Sequence, residues 1–167
     1  MSTNKKEAAR KKSLGELGEL FAIKTLVDAE YDKIRNVNDN KMNYAFADIL
    51  CEKNGIKYAI SVKARNKHTL KGSINTRYNL GSKAYRHAEK VAKELDAIPC
   101  WMAIQFDTNT YSVYFGTLEE LCESKAIPID KCEKNLIGET LVQNKRHYFD
   151  FDFYSNKKQQ FAVRDIP

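Results

Sequence analysis

The sequence predicts an α/β domain in which helices pack on a mixed β-sheet. Two segments have apolar residues at helical spacing, five have the apolar or alternating pattern of strands, and they follow in the order α-β-β-β-α-β-β. The chain of 167 residues, 43% hydrophobic and 30% charged, is long enough for one domain with a substantial core. No apolar run approaches the roughly 20 residues of a membrane-spanning helix, so no membrane partner is expected.

The first helix is predicted to run from Ser13 to about Glu30. Ser13 is a suitable N-cap, and Glu16 follows three residues later, as in a capping box. The preceding residues 1–12 contain five Lys or Arg against one Glu and are predicted to form a flexible basic tail. A short edge strand is expected around Ile34.

Two strands joined by a tight turn are expected next. Residues 44–52, "YAFADILCE", form an apolar strand interrupted by Asp48, and residues 56–65, "IKYAISVKAR", return as its hairpin partner across an Asn-Gly turn. Lys63 is thereby placed on a core strand. Ser61, two positions earlier, carries no charge that could match it.

The second half of the core alternates a loop, a helix and two strands. Residues 66–81 are predicted as a long polar loop, and loops of that length are often functional. A helix over residues 82–97 has one apolar stripe, and strands follow at residues 98–106 and 111–118. The stripe consists of Ala84, Ala88, Val91, Ala92 and Leu95.

These elements divide the chain into three parts. Residues 1–12 are the tail, residues 13–117 the core domain, and residues 118–167 an extension packed on the same domain. The extension is expected to close with an aromatic strand, "HYFDFDFY", at residues 147–154.

The net charge of +6 is concentrated in two stretches. One is the tail, and the other spans residues 63–93, where nine Lys or Arg accompany a single acid, Glu89. Such clustering is typical of a polyanion partner, with a solvated charged face as the alternative. The side chains expected to contact nucleic acid are Arg65, Lys67, Lys71, Arg77, Lys83 and Arg86.

Asp48 and Lys63 pose a common problem. A carboxylate or an ammonium group is costly in a core unless it is paired or bound to a metal. On neighbouring strands the two could form a structural ion pair, or they could build a site that holds a divalent cation and activates a water. The three histidines and four cysteines lack metal-ligand spacing, so a zinc site is not expected and the cysteines are interpreted as thiols of a reducing cytoplasm.

Asp48, followed after the hairpin by Ser61-x-Lys63, resembles the PD-(D/E)xK nuclease superfamily, whose pattern is an Asp on one strand and acid-x-Lys on the next. The segment "GELGE", with Gly15 four residues before Glu19, is similar to the first helix of archaeal Holliday-junction resolvases. The resemblance covers about residues 13–117. It implies a restriction-endonuclease-like core.

The resemblance also implies an activity, that of a Mg²⁺-dependent DNA endonuclease in which Mn²⁺ can substitute. Glu19, Asp48 and the main-chain carbonyl of Val62 would bind the metal, and Lys63 would act on the attacking water and the charge at phosphorus. DNA, including branched or single-stranded forms, would be the partner. The resemblance further allows a homodimer and a cytoplasmic location, in a host cell if the protein is encoded by a virus.

Ser61 departs from the family pattern, because the family has its second acid there. Three explanations are open. The acid has moved, to Glu89 on the following helix or to Glu16; Glu19 is sufficient, since Mg²⁺ is often held by one or two carboxylates; or catalysis is lost and a nucleic-acid-binding module remains. A protein-interaction domain is a further alternative if the basic face has no role.

Overall fold

The computed structural model describes residues 3–38 and 44–147. Its helices are α1 (Thr3–Asp28), α2 (Ala84–Leu95) and α3 (Ile129–Glu133), with a 3₁₀ turn at Leu118–Leu121. Its strands are β1 (Asp32–Asn36), β2 (Ile49–Lys53), β3 (Ile56–Asn66), β4 (Arg77–Asn79), β5 (Ala97–Phe106), β6 (Thr110–Thr117), β7 (Ala126–Pro128) and β8 (Glu139–Arg146).

Six strands form the central sheet, in the order β1-β2-β3-β5-β6-β8, while β4 and β7 form a separate two-stranded ribbon. The β3–β5 pair is parallel and the other neighbours in the sheet are antiparallel. With α1 on one face and α2 on the other, this confirms the predicted α/β class with a mixed central sheet. None of the helices in the two described ranges is both long and apolar enough to cross a membrane.

Helix α1 is longer than predicted. The predicted start at Ser13 is wrong, because the helix begins at Thr3 and residues 3–12 belong to it rather than to a flexible tail. The Ser13 hydroxyl donates to the carbonyl of Ala9 at 3.1 Å, which is a bond within the helix and not a cap. A Lys11–Glu7 ion pair at 2.9 Å, one turn apart, supports the added turns.

The inner face of α1 packs on the apolar face of β3. Leu14 and Leu17 from the helix are buried together with Val62 and Ala64 from the strand. Gly18 lies so close to the sheet that a Cβ atom on it would be 2.4 Å from the Cβ of Ala64. A glycine is therefore required where the helix crosses the strand.

Helix α2 forms the crossover between the parallel strands β3 and β5 and covers the opposite face of the sheet. Ala84, Ala88 and Val91 are its buried residues, as the predicted stripe requires. Trp101 of β5 is fully buried beneath this layer, and its indole N–H donates to the carbonyl of Thr117 at 3.0 Å.

Part of the predicted extension belongs to the central sheet. Strand β8 adds an edge strand beside β6, and β7 pairs with β4, which lies inside the segment predicted as a loop. The predicted aromatic strand at residues 147–154 lies outside the described residues except for His147. The four cysteines are free thiols.

Candidate active site

The β2–β3 hairpin positions the central carboxylate. Its turn residues Asn54 and Gly55 have φ of +53° and +78°, the left-handed conformation that a tight hairpin turn requires. The predicted strand over residues 44–52 is too long at its start, because β2 begins at Ile49 and Asp48 immediately precedes it. Asp48 thus stands where the second strand enters the sheet.

Asp48 continues the ladder between the two strands with its own side chain. Its main-chain N–H donates to the carbonyl of Ile60 at 2.9 Å, and its Oδ2 accepts the N–H of Val62 at 2.7 Å. Because the N–H and C=O of one residue in a strand leave on the same side, the Val62 carbonyl is directed to this same edge. The carboxylate and the Val62 carbonyl, predicted as metal ligands, therefore face one place.

Strand β3 then alternates between the two faces of the sheet. Ile60, Val62 and Ala64 point to α1, whereas Ser61 and Lys63 point to the side of α2. Ser61 is 3% exposed, and Lys63 is half-buried.

An open cleft of about 270 Å³ lies where these side chains meet the start of α2. Its polar lining includes Asp48, Ser61, Lys63, Ser82, Lys83 and His87. His87 was not among the site residues predicted from the sequence, yet it forms part of the wall. Its position three residues after Ala84, beside the apolar stripe, is the sequence signal for that placement.

The electrostatics of the cleft centre on Asp48. Burial raises the pKa of Asp48 to about 6, and the hydrogen bond from Val62 and the charge of Lys63 oppose that rise, while the negative charge of Glu19 adds to it. No salt bridge joins Asp48 to Lys63 within residues 3–38 and 44–147. A structural ion pair therefore does not account for this half-buried carboxylate.

Glu19 lies beside the cleft and is not part of its lining. Its carboxylate accepts hydrogen bonds from the side-chain amides of Asn36, at 2.9 Å, and Asn38, at 3.2 Å. Between them, the N–H of Val37 donates to the main-chain carbonyl of Asp48 at 2.9 Å. The end of β1 thus connects Glu19 to Asp48. The two asparagines were not among the site residues predicted from the sequence.

The donor atoms predicted as metal ligands at this site are hard oxygens. No group of three or more His, Cys, Asp or Glu side chains suited to a metal occurs among the residues that the structure describes. The Asp48 carboxylate and the Val62 carbonyl, with Glu19 nearby, match the oxygen preference of Mg²⁺, which keeps several of its waters. These oxygens would hold a sparingly ligated Mg²⁺, and the imidazole of His87 lies in the same cleft lining.

The structure does not bring Glu89 or Glu16 to the cleft. Glu89 is exposed and accepts a hydrogen bond from Lys93 at 2.9 Å. At 100° per residue it lies about 160° around α2 from His87, on the opposite flank. Glu16 is exposed and is 3.9 Å from Lys12. In the structure, neither carboxylate lies at the place where Ser61 leaves the second acid missing.

The predicted nucleic-acid contacts surround the end of β3 and the start of α2. Lys83 lines the cleft, and Lys67 forms a 3.8 Å ion pair with Asp107. The sequence contains no acid between Glu52 and Glu89. The remaining predicted contacts are all exposed to solvent, namely Arg65, Lys71, Arg77 and Arg86.

Comparison with solved structures relates the fold to a known one. The chain is similar to Hjc of Archaeoglobus fulgidus, a Holliday junction resolvase from an archaeal hyperthermophile, with a TM-score of 0.54 and 16% sequence identity over 75% of this chain and 90% of that one. At this identity the likeness shows the fold alone, and it confirms the nuclease-like α/β architecture. No protein-family model and no curated protein matches the sequence.

Proposed function

We propose that the chain is a divalent-metal-dependent nuclease that hydrolyses phosphodiester bonds of DNA. The observation that carries the proposal is the half-buried Asp48 carboxylate, held by the N–H of Val62 and influenced by the charge of Lys63, at a cleft with a basic rim. The fold supports the proposal, because the solved structure that it resembles is that of a nuclease, a Holliday junction resolvase.

In this proposal each residue of the site has a distinct role. Asp48, the Val62 carbonyl and Glu19 would hold Mg²⁺ or Mn²⁺, which supplies an activated water and offsets phosphate charge when bound. Lys63 would orient the attacking water and stabilise negative charge at phosphorus. His87 and Lys83, on the opposite wall, would contact the phosphate that enters the cleft.

Ser61 favours a second candidate, a nucleic-acid-binding module that does not cut. Its hydroxyl occupies the β3 position that faces the cleft beside Lys63, so the cleft lining contains a single carboxylate, Asp48. Both candidates require DNA binding. They differ only in whether metal-dependent cleavage occurs.

Nicking of supercoiled plasmid in Mg²⁺, Mn²⁺ or EDTA tests the proposal. Lys63→Ala should lower the cleavage rate about 10²- to 10³-fold, because a preorganised positive charge is removed, while DNA affinity stays within a few-fold. Lys57→Ala is the matched control, since it removes an exposed lysine from the other end of the same strand. Cleavage by Lys63→Ala at the wild-type rate would contradict the assignment, and metal-independent binding without cleavage by the wild type would favour the second candidate.

The basic rim is tested by the salt dependence of binding. Engagement of about five phosphates predicts a log–log slope of roughly −4 to −5 on duplex DNA, and neutralising three rim residues should flatten it. The rim triple variant replaces Arg77, Lys83 and Arg86, and the control triple variant replaces Lys33, Arg35 and Lys57 at the opposite end of the sheet. An affinity that does not respond to salt would exclude this mode of binding.

Two further expectations remain proposals. A homodimer would supply two sites for two DNA strands, and a purely monomeric species during duplex cleavage, measured by sedimentation, would contradict it. A cytoplasmic location accords with four cysteines that are free thiols.

A further inference from the structure

A compact hairpin projects from the end of β3. Residues 67–75 fold back through hydrogen bonds from the N–H of Thr69 to the carbonyl of Ser73 at 2.7 Å and from the N–H of Asn75 to the carbonyl of Lys67 at 2.9 Å. Gly72 turns the tip with φ of +83°, and its N–H donates to the carbonyl of Thr69 at 2.9 Å. The hairpin is therefore shaped by its own bonds.

The base of the hairpin is fixed to the sheet that holds the candidate active site. The N–H of Lys67 donates to the carbonyl of Phe106, the last residue of β5, at 2.6 Å. The side-chain amide of Asn75 donates to the carbonyl of Asn66, the last residue of β3, at 2.6 Å. Because Lys63 lies on this same strand, the hairpin has a defined position relative to the cleft.

The hairpin exposes apolar side chains next to cations. Leu70 is 65% exposed and Ile74 is 54% exposed, although both are large aliphatic residues. Lys71 at the tip and Arg65 before the base are also exposed, and the surrounding sequence lacks acids from residue 53 to residue 88. Nucleic acid combines anionic phosphates with an apolar base stack, so it complements both features of this surface.

We infer that the hairpin formed by residues 67–75 is a wedge that places the Leu70 side chain against a base step of the bound DNA, while Lys71 contacts a flanking phosphate. The inference rests on the proposed function, because it names a further contact of the same nucleic acid. Aliphatic side chains that enter a base step unstack it in part, which opens the duplex locally.

A wedge of this kind gives the protein a preference among DNA forms. Unstacking is costly in a continuous duplex and less costly where stacking is already interrupted, as at a nick, a gap or an unpaired base. The wedge therefore predicts tighter binding to a gapped duplex than to an intact duplex of the same sequence. Phosphate contacts alone would not discriminate in this way.

The test uses the full chain with two matched duplexes, one intact and one with a single-nucleotide gap, each with 2-aminopurine beside the central step. Binding is measured in EDTA, where a metal-dependent nuclease does not cut. The wild type should bind the gapped duplex more tightly and raise 2-aminopurine fluorescence, and Leu70→Ser should reduce the affinity ratio by about fivefold and lower the fluorescence rise. Leu136→Ser, which alters a leucine that is 69% exposed elsewhere, should change neither quantity.

Lys71→Ala separates the two parts of the hairpin. It should reduce the magnitude of the log–log salt slope by about one while leaving the fluorescence rise of the saturated complex intact. If Leu70→Ser retains the wild-type ratio of gapped to intact duplex affinity and the wild-type fluorescence rise, the wedge inference is overturned. Contact of the exposed Leu70 with another protein is then the alternative. If the wild type binds neither duplex at low salt, the proposed function fails instead, so the two failures are distinguishable.

Discussion

The two faces of strand β3 have opposite chemistry. On the side of α1, Val62 and Ala64 are buried against the helix, and Gly18 allows the backbones to approach closely. On the side of α2, Ser61 and Lys63 meet an open cleft. One strand thus joins a packed interface to a polar site through the two-residue alternation of its side chains.

This difference indicates where substitutions should affect stability and where they should affect function. A closed apolar face tolerates neither a cavity nor an added atom without cost. A cleft that holds a half-buried carboxylate without an ion pair is itself a source of instability, which binding of a cation would relieve. We therefore expect changes on the α1 side to reduce stability first and changes on the α2 side to reduce activity first.

The largest expected effect is on catalysis. Asp48→Asn keeps the shape of the side chain and an oxygen for the N–H of Val62, but it removes the ionised carboxylate. Cleavage in Mg²⁺ should fall by at least about 100-fold, since changes in outer-shell partners of a metal ligand already cost 10- to 100-fold. Plasmid nicking measures the loss, and Asp130→Asn at an exposed position is the control. Unchanged cleavage by Asp48→Asn would show that Asp48 does not take part in the reaction.

The same variant should show the cost of burying the charge. Burial raises the pKa of Asp48 from 3.8 to about 6, so between about pH 4 and pH 6 the native state holds more protons than the unfolded state. The unfolding free energy of the wild type should therefore fall as pH rises through that window. Asp48→Asn should be more stable than the wild type above pH 6, by up to about 3 kcal/mol, with no gain below pH 4. Urea unfolding at pH 4 and pH 8 checks this, and an equal difference at both values would refute it.

On the opposite face, Gly18→Ala should destabilise the protein by about 1–3 kcal/mol, because the new Cβ overlaps Ala64 and the helix must shift. Gly15→Ala is the matched control in the same helix, where a Cβ meets nothing within 4 Å. That control should gain up to about 1 kcal/mol from helix propensity. Thermal unfolding of the two variants measures both effects, and equal changes would mean that the close approach does not constrain the fold.

The smallest effect is expected at Glu89. This exposed side chain accepts a hydrogen bond from Lys93, and it lies on the flank of α2 away from His87. Glu89→Ala should retain cleavage activity and lose no more than about 0.5 kcal/mol of stability. Plasmid nicking and urea unfolding measure the two quantities. A large loss of activity would restore Glu89 as the acid that Ser61 lacks.

The elements that could be predicted from the sequence are those with a strong local signal. The Asn54-Gly55 turn indicates the hairpin, the alternation along β3 places Lys63 on one face, and the stripe of Ala84, Ala88 and Val91 identifies α2. Asp48 and Lys63 could be brought together for the same reason, since one immediately precedes the first strand of the hairpin and the other lies on the second.

Other features depended on contacts that the sequence does not display. Ser13 has the local pattern of an N-cap, but a helix that is already formed makes that cap unnecessary. Phe46 is buried although it precedes β2, because an apolar side chain can fill a core without belonging to a strand. Whether Glu89 faces the cleft depends on how α2 is rotated about its own axis when the crossover packs it on the sheet. Local spacing does not determine that orientation.

The parallel pairing of β3 with β5 has a consequence for the order in which the molecule folds. From Lys57 onwards, the residues of β3 pair with residues forty positions further along, as Lys63 does with Ala103. Asp48, in contrast, reaches Val62 within a hairpin. Closing a long loop costs more chain entropy than closing a hairpin, and pairings between distant segments slow folding. We expect the carboxylate and its strand to assemble early as a local unit, and α2 to complete the cleft only when β5 docks. In β5, the residues on the same side as Phe106, whose carbonyl accepts from Lys67, face β3, and Ile104 is one of them. Hydrogen exchange during refolding should therefore protect the amide of Val62 before that of Ile104.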